Sequence, residues 1–203
     1  MDLRYACTFA PQGWSAAEWI AVGSSRWAWR SAWVQEGDHI RNQVPTGASE
    51  DELRGPRAPE TYASRVWKER VSGPLRVCAE LSFDHRMAPS IVLAPELSAD
   101  CNSQPQYREH YEVVLYDQGV NVWHHTFALG RPRWQKLAHH PFALAPRQHH
   151  ILEVEKRAAA LVVRVASREL ALPCPALSDH CYAGLTGCEG VNRFYSFSVH
   201  TQS

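Results

Sequence analysis

The chain has 203 residues, 21 basic and 21 acidic side chains, a formal net charge of +0 and 45% hydrophobic residues. This composition is typical of a folded globular protein, because disordered chains combine few apolar residues with a high net charge. The sequence contains neither a long apolar run nor the basic and apolar regions of a signal peptide, so we expect a cytoplasmic protein without a membrane partner. Nucleic acid is also not expected as a partner, since phosphate neutralisation requires a clustered excess of Lys and Arg.

The 6 cysteines are expected to be free thiols, mostly in the core, because disulfides are rare in a reducing cytosol. Three of them, Cys174, Cys181 and Cys188, are evenly spaced beside His180, which suggests zinc as an alternative. Their spacing does not match the usual zinc-ligand pairs, which lie about two to four residues apart. Adjacent histidines point to opposite faces of a strand, and no Asp-rich loop suggests calcium. We therefore predict neither a metal nor another cofactor.

Alternation of apolar and polar residues recurs along the chain and predicts an all-β protein. In chain order, the predicted strands are 3–9, 27–35, 39–44, 61–68, 75–84, 90–94, 133–138, 149–156, 161–166, 169–172, 181–186 and 192–200, with a hairpin over 108–127 between the sixth and the seventh. Many short, evenly spaced strands without an internal repeat predict one domain over 1–203, built as a two-sheet antiparallel β-sandwich of the jelly-roll type.

Two segments need separate treatment. Good helix formers fill residues 153–161 where a turn glycine is expected, so a helix is the alternative there. The β-branched residues that follow favour the hairpin. Ser49 and Glu52 form the pattern of a capping box, which predicts one short helix in the loop 45–60.

The C-terminal half resembles a known superfamily. The segments that carry the resemblance are Tyr111 to Tyr116, Gly119, Asn121, Trp123, Trp134 to Leu137, 149–155 and 184–197. Their order is similar to that of the concanavalin A-like lectin/glucanase superfamily of jelly-roll and laminin G-like proteins. The resemblance implies a concave sheet that faces carbohydrate. It does not imply catalysis, because the Glu-x-Asp-x-x-Glu motif of laminarinase-type glucanases is missing and Glu153-Val154-Glu155 is the nearest carboxylate pair.

On such a sheet, alternation brings carboxylate, amide, imidazole and aromatic groups to the outward face. The residues concerned are Glu80, Ser82, His110, Glu112, Tyr116, Asn121, Trp123 and His125. Sugars suit this mixture, because an aromatic ring stacks on their C–H face while amides and carboxylates bind their hydroxyl groups. We therefore predict that a carbohydrate or similar polyhydroxylated ligand binds around Trp123. The alternative is an ordinary solvated sheet face.

Two further segments bear on this site. The loop 187–195 either adds Glu189, Asn192 and Arg193 to it or is only a turn. The segment 26–33 interleaves tryptophans with arginines. Core packing is favoured there over stacking on single-stranded nucleic acid, because the chain has no net positive charge.

Whether the protein is an enzyme stays open. A glycoside hydrolase requires two carboxylates about 5–9.5 Å apart, for which Glu112 and Glu80 are candidates if their strands are neighbours. A polysaccharide lyase requires a base, an acid and a positive charge, and the candidates are His125 or His110, Tyr116 and Arg193. A third possibility is a protein-interaction module that uses the same face. Exposed sheet edges also lead us to expect a homodimer.

Overall fold

The computed structural model describes residues 1–28 and 30–202. Its strands, in chain order, are β1 (Asp2–Thr8), β2 (Trp19–Ala21), β3 (Trp33–Glu36), β4 (His39–Asn42), β5 (Ala63–Trp67), β6 (Val71–Ser72), β7 (Leu75–Phe83), β8 (Met87–Ala94), β9 (Ser98–Ala99), β10 (Pro105–Gln106), β11 (Glu109–Tyr116), β12 (Gly119–Ala128), β13 (Arg131–Pro141), β14 (His150–Arg157), β15 (Ala160–Val165), β16 (Arg168–Pro173), β17 (His180–Gly187) and β18 (Asn192–Thr201). The short helix α1 (Glu50–Arg54) and 3₁₀ turns at Ala16–Glu18 and Ala58–Thr61 complete the described elements. None of the helices among them is long and apolar enough to cross a bilayer.

Two large antiparallel sheets pack face to face. The first has the order β16-β15-β14-β7-β18-β4-β3, with β1 also paired to β18. The second has the order β13-β12-β11-β8-β17-β5-β2, with β6 also paired to β17. Strands β9 and β10 form a small separate ribbon. The predicted all-β, two-sheet antiparallel sandwich is confirmed.

The core lies between the two sheets and is built from alternate residues of facing strands. On β11, Tyr111, Val113 and Leu115 are buried in this core. Burial of each large apolar side chain stabilises the fold by about 1.5–3 kcal/mol, which fixes the face that β11 turns inward. The residues between them, among them His110 and Glu112, therefore point to the outer side of the second sheet.

The hairpin of β11 and β12 sets the register of that outer side. His110 lies directly opposite His125, Glu112 opposite Trp123, and Val114 opposite Asn121. The turn ends at Gly119, whose φ is 132° and where a Cβ would collide with the carbonyl oxygen of His140. Only glycine fits this position without strain, so the turn fixes the cross-strand pairs.

Several local predictions can now be judged. The capping box is confirmed, because Ser49 and Glu52 bond reciprocally at the start of α1. The helix alternative over 153–161 is wrong, since β14 and β15 form a hairpin there. The strands that the sequence did not predict, β2, β6, β9 and β10, are only two or three residues long, which is too short for an alternating pattern to be visible.

The predicted strand over 27–35 is wrong for most of its length, because the described residues of this segment form a strand only at Trp33–Glu36. Trp29, which the prediction placed on that strand, lies outside the described residues. Trp27 instead packs edge-on against Tyr62, with ring centroids 5.3 Å apart. The Ser31 N–H bonds to the Tyr62 carbonyl outside any sheet ladder. These contacts hold the segment beside the sandwich.

The cysteines agree with the prediction of free thiols that lie mostly in the core. The structure records all of them as free; Cys7, Cys174, Cys181 and Cys188 are buried, Cys78 is half-buried and Cys101 is exposed. Burial raises the pKa of the Cys7 and Cys181 thiols to about 11, so both stay protonated near neutral pH. These residues act as small apolar groups in the core.

Candidate functional site

A cavity of about 220 Å³ opens on the outer side of the second sheet. Its floor comes from β11 and β12, which contribute His110, Glu112, Asn121, Trp123 and His125. Strands β8 and β17 add small polar side chains. The walls come from segments outside these strands and consist of Arg26, Trp27, Tyr62, Trp134 and Glu189. Polar groups therefore lie at the bottom of the cavity and aromatic rings around it.

Three side chains, His110, Glu112 and His125, form a cluster in the floor. His110 Nε2 lies 3.4 Å from Glu112 Oε1, and His125 Nε2 lies 3.2 Å from Glu112 Oε2. The two imidazole rings stack with centroids 4.5 Å apart, and Tyr107 stacks on His110 at the same distance. The side chains are only 3% exposed for His110, 15% for Glu112 and 13% for His125. The cluster is therefore held between strands and largely shielded from water.

The charge state of the floor follows from burial and from these contacts. Burial acts to raise the pKa of Glu112, but the charge of His125 and the contact with His110 outweigh it and hold that pKa well below its usual range. Burial also lowers the pKa of His110, although Glu112 acts in the opposite direction. At the rim, burial raises the pKa of Glu189. The cavity thus contains one firmly ionised carboxylate and a second carboxyl that is more easily protonated.

Three buried polar atoms in the floor, His110 Nδ1, Asn121 Oδ1 and His125 Nε2, have no hydrogen-bond partner among the described residues. Neither His110 Nδ1 nor Asn121 Oδ1 forms a hydrogen bond to a described residue, although the two residues are only 2% and 8% exposed. An unsatisfied buried polar group costs about 1–3 kcal/mol. Both residues line the cavity, so a polar occupant would relieve this cost.

The walls combine tryptophans with a guanidinium group. The Arg26 guanidinium carbon lies 4.6 Å from the Trp27 ring centre and 4.5 Å from that of Trp134. Lys136 Nζ lies 5.3 Å from the Trp123 ring centre. Such cation–π contacts restrain the rings without covering the cavity. Trp134 is 48% exposed, which leaves an aromatic surface at the opening.

The structure brings together six of the residues that the sequence predicted for the site: His110, Glu112, Asn121, Trp123, His125 and Glu189. It does not bring Glu80 to them. Glu80 lies on β7 in the first sheet, where it bonds His149 at 2.8 Å. Glu80 and Glu112 were candidates for a carboxylate pair only if their strands were neighbours, and this condition is not met, because the neighbours of β7 are β14 and β18.

The other three predicted residues lie outside the cavity lining. Tyr116 shares the outward face of β11, but its hydroxyl contacts His139 at 3.0 Å. Arg193 lies on β18 in the first sheet and forms an ion pair with Asp84. Asn192 is fully buried, and its side-chain amide bonds backbone groups at Met87 and Cys188. It supports the cavity wall from behind.

Sequence reasoning missed two features of this site. Arg26 and Trp27 were interpreted as core residues, although their alternating aromatic and basic pattern was visible. The second feature is a possible metal-ligand set: the donor atoms of His110, Glu112 and His125 all lie within 4.8 Å of one another. The adjacent histidines do point apart, since His124 bonds Glu109 at 2.9 Å. His110 went unrecognised as the partner of His125 because their pairing depends on the hairpin register.

Comparison with known proteins finds similarity in structure and none in sequence. Neither protein-family models nor curated protein sequences match the chain. Among solved structures, the carbohydrate-binding module CBM66 from Bacillus subtilis is similar with a TM-score of 0.62 and 9% identity, over 91% of this chain and 96% of that one. The chain has the concanavalin A-like jelly-roll fold.

Two other solved structures support this assignment. The exoplasmic/lumenal domain of VIP36, bound to Ca²⁺ and Man3GlcNAc, has a TM-score of 0.62 and 10% identity over 100% of this chain and 91% of that one. LamAcat from Zobellia galactanivorans has a TM-score of 0.60 and 14% identity over 98% of each chain. At such low identity the similarity establishes the fold alone, and function must be argued from the site.

Proposed function

We propose that the protein binds a carbohydrate, or a similar polyhydroxylated ligand, in the cavity around Trp123. The observation that carries the proposal is that Trp123, Asn121 and Glu112 line one cavity on the outer side of the second sheet. The indole offers a flat apolar surface to the C–H side of a sugar ring, while the amide and the carboxylate bind its hydroxyl groups. The unpaired Asn121 Oδ1 then gains a hydroxyl donor.

The size and the walls of the cavity narrow the kind of ligand. Its volume of about 220 Å³ is below the range of about 300–1,000 Å³ that takes drug-sized molecules, so we expect it to hold a single sugar unit. The Arg26 guanidinium at the wall favours a sugar that carries a carboxylate. The similar structures include a carbohydrate-binding module and a domain bound to Man3GlcNAc, which supports a sugar as the ligand class.

Calorimetric titration after a glycan-array screen tests the proposal. We expect Trp123→Ala combined with Asn121→Ala to abolish binding of the best array ligand. Ile151→Ala provides the matched control, because Ile151 is an apolar side chain, 65% exposed, on β14 of the first sheet. Its variant should bind as the wild type does. Unchanged binding by the double variant would remove the proposed site.

Glycoside hydrolysis is the second candidate, and one observation favours it. Glu112 and Glu189 line the same cavity, and two carboxylates are the minimum that a glycosidase needs. The assay is release of reducing ends from oligosaccharides, which we expect to stop in Glu189→Gln and in Glu112→Gln while binding persists. For a lyase, His125 remains the candidate base, and Arg26, which lines the same cavity, supplies the positive charge. A lyase product would absorb as an unsaturated uronate.

Other expectations stay predictions. They are a single domain over 1–203, a cytoplasmic location, a homodimer and the lack of a nucleic-acid partner. Light scattering on the purified protein checks the homodimer. If a second copy or another protein covers Trp123 in solution, the tryptophan emission of the wild type, but not that of Trp123→Phe, should shift to shorter wavelength as the protein concentration rises. Such a shift would favour the interaction module over the sugar binder.

A further inference from the structure

We propose that His110, Glu112 and His125 bind a divalent transition-metal ion at the floor of the cavity. The pairing of β11 with β12 is by itself sufficient to bring the three ligands together. His110 and Glu112 are two residues apart on β11 and so share one face, and His125 is the direct cross-strand partner of His110 on β12. Ligands on paired strands are held more precisely than ligands on loops.

The donor atoms are close enough for small side-chain movements to bring them onto one ion. Ligand atoms bound at about 2.0–2.1 Å to a tetrahedral ion lie about 3.3–3.4 Å from one another. Here His110 Nε2 lies 3.4 Å from Glu112 Oε1 and His125 Nε2 lies 3.2 Å from Glu112 Oε2, and one donor atom from each of the three residues lies within 4.8 Å of the others. His125 Nε2 makes no hydrogen bond to a described residue despite this proximity. In the neutral ring with the proton on Nδ1, this nitrogen is available to an ion.

The chemistry of the donors selects the class of ion. Two imidazole nitrogens and one carboxylate suit zinc, iron, nickel or copper, whereas calcium and magnesium prefer a shell of oxygen atoms. Three protein ligands also leave coordination positions open, as in catalytic metal sites. The three ligands line the cavity, so a molecule bound in the cavity can reach an ion that they hold. The buried Oδ1 of Asn121, unpaired among the described residues, is available to a metal-bound water.

The proposal goes beyond sugar binding and is tested with metal alone, so failure of either proposal leaves the other standing. The chelator-treated protein is titrated calorimetrically with Zn²⁺, and its visible absorption is followed during titration with Co²⁺. We expect one Zn²⁺ per chain, Co²⁺ bands typical of nitrogen and oxygen ligands, and no comparable heat with Ca²⁺. Zn²⁺ should also raise the unfolding temperature, because it binds the folded state.

Variants locate the ion. We expect His125→Ala and Glu112→Gln each to weaken Zn²⁺ binding by about 100-fold or more, since each removes a direct ligand. His124→Ala is the matched control: His124 is adjacent on β12 but bonds Glu109 on the other side of the strand, so its variant should bind Zn²⁺ normally. Circular dichroism confirms that each variant is folded, and the nearly isosteric Glu112→Gln separates loss of a ligand from loss of the fold.

Three results would overturn the proposal. They are no Zn²⁺ binding by the wild-type protein, unchanged binding by a folded Glu112→Gln variant, and equal weakening in His124→Ala. If the variants do not fold, the wild-type stoichiometry and the Co²⁺ spectrum still decide, because a site of oxygen ligands alone gives a different spectrum.

Discussion

Replacing Asn192 by alanine should destabilise the protein and not merely alter its ligand affinity. The Asn192 side chain is fully buried, and its Oδ1 accepts a hydrogen bond of 2.6 Å from the Cys188 N–H while its Nδ2 donates one of 3.0 Å to the Met87 carbonyl. Asn192→Ala removes both hydrogen bonds and leaves the Cys188 N–H and the Met87 carbonyl without these partners. Each costs about 1–3 kcal/mol when buried, and because the second bond is only partly buried we expect a total loss of about 2–4 kcal/mol.

Urea denaturation measures this loss as a lower midpoint with an unchanged slope. Cys188 and Met87 both line the cavity, so sugar affinity should fall as well, through displacement of the wall. Asn102→Ala is the control, because Asn102 lies in an exposed turn, where such changes stay within about 0.5 kcal/mol. A decrease of less than about 1 kcal/mol in the free energy of unfolding of Asn192→Ala, together with abolished sugar binding, would refute the structural role. Asn192 would then be a residue that contacts the ligand.

Two further predictions concern stability. Gly119→Ala should lower the free energy of unfolding by about 2–4 kcal/mol, because the new Cβ meets a backbone carbonyl. Gly130→Ala, at a φ of 74° with open space around it, should lower it by only about 1 kcal/mol. Thermal unfolding compares the two variants, and equal losses would contradict the argument. Hydrogen bonds from Arg157 and Arg164 lower the pKa of Glu155 from 4.5 to about 2, so its contribution is complete above about pH 4.5 and disappears as the pH falls toward 2. Arg164→Met should flatten this part of the stability curve measured by denaturation at a series of pH values.

The part of the site that the sequence could predict is the part governed by alternation. Asn121, Trp123 and His125 lie at every second position of one strand, so their common face follows from strand geometry alone. The turn at Gly119 then fixes the opposite strand and brings in Glu112. Local patterning and turn chemistry are sufficient for a hairpin, because its two strands are adjacent in the chain.

The part that could not be predicted depends on long-range pairing. Glu80 shows the same alternation as Glu112, but β7 and the strand that follows it, β8, belong to different sheets. Strands of both sheets show the same alternation of apolar and polar residues, so this pattern does not tell which sheet a strand joins. The contribution of Arg26 could not be predicted for a related reason. Its guanidinium group lies over the adjacent Trp27 but also over Trp134, which is distant in the sequence and approaches only in the folded protein.

The floor and the walls of the cavity are encoded by separate stretches of the chain, with different constraints. The floor belongs to a hairpin whose other face is part of the core, so changes to the inward-facing residues of that hairpin endanger the fold. The wall formed by residues 25–28 is irregular and carries no strand pairing. A library randomised at these positions should therefore yield folded proteins with altered ligand choice, which makes the segment a natural starting point for engineering new recognition on an unchanged scaffold.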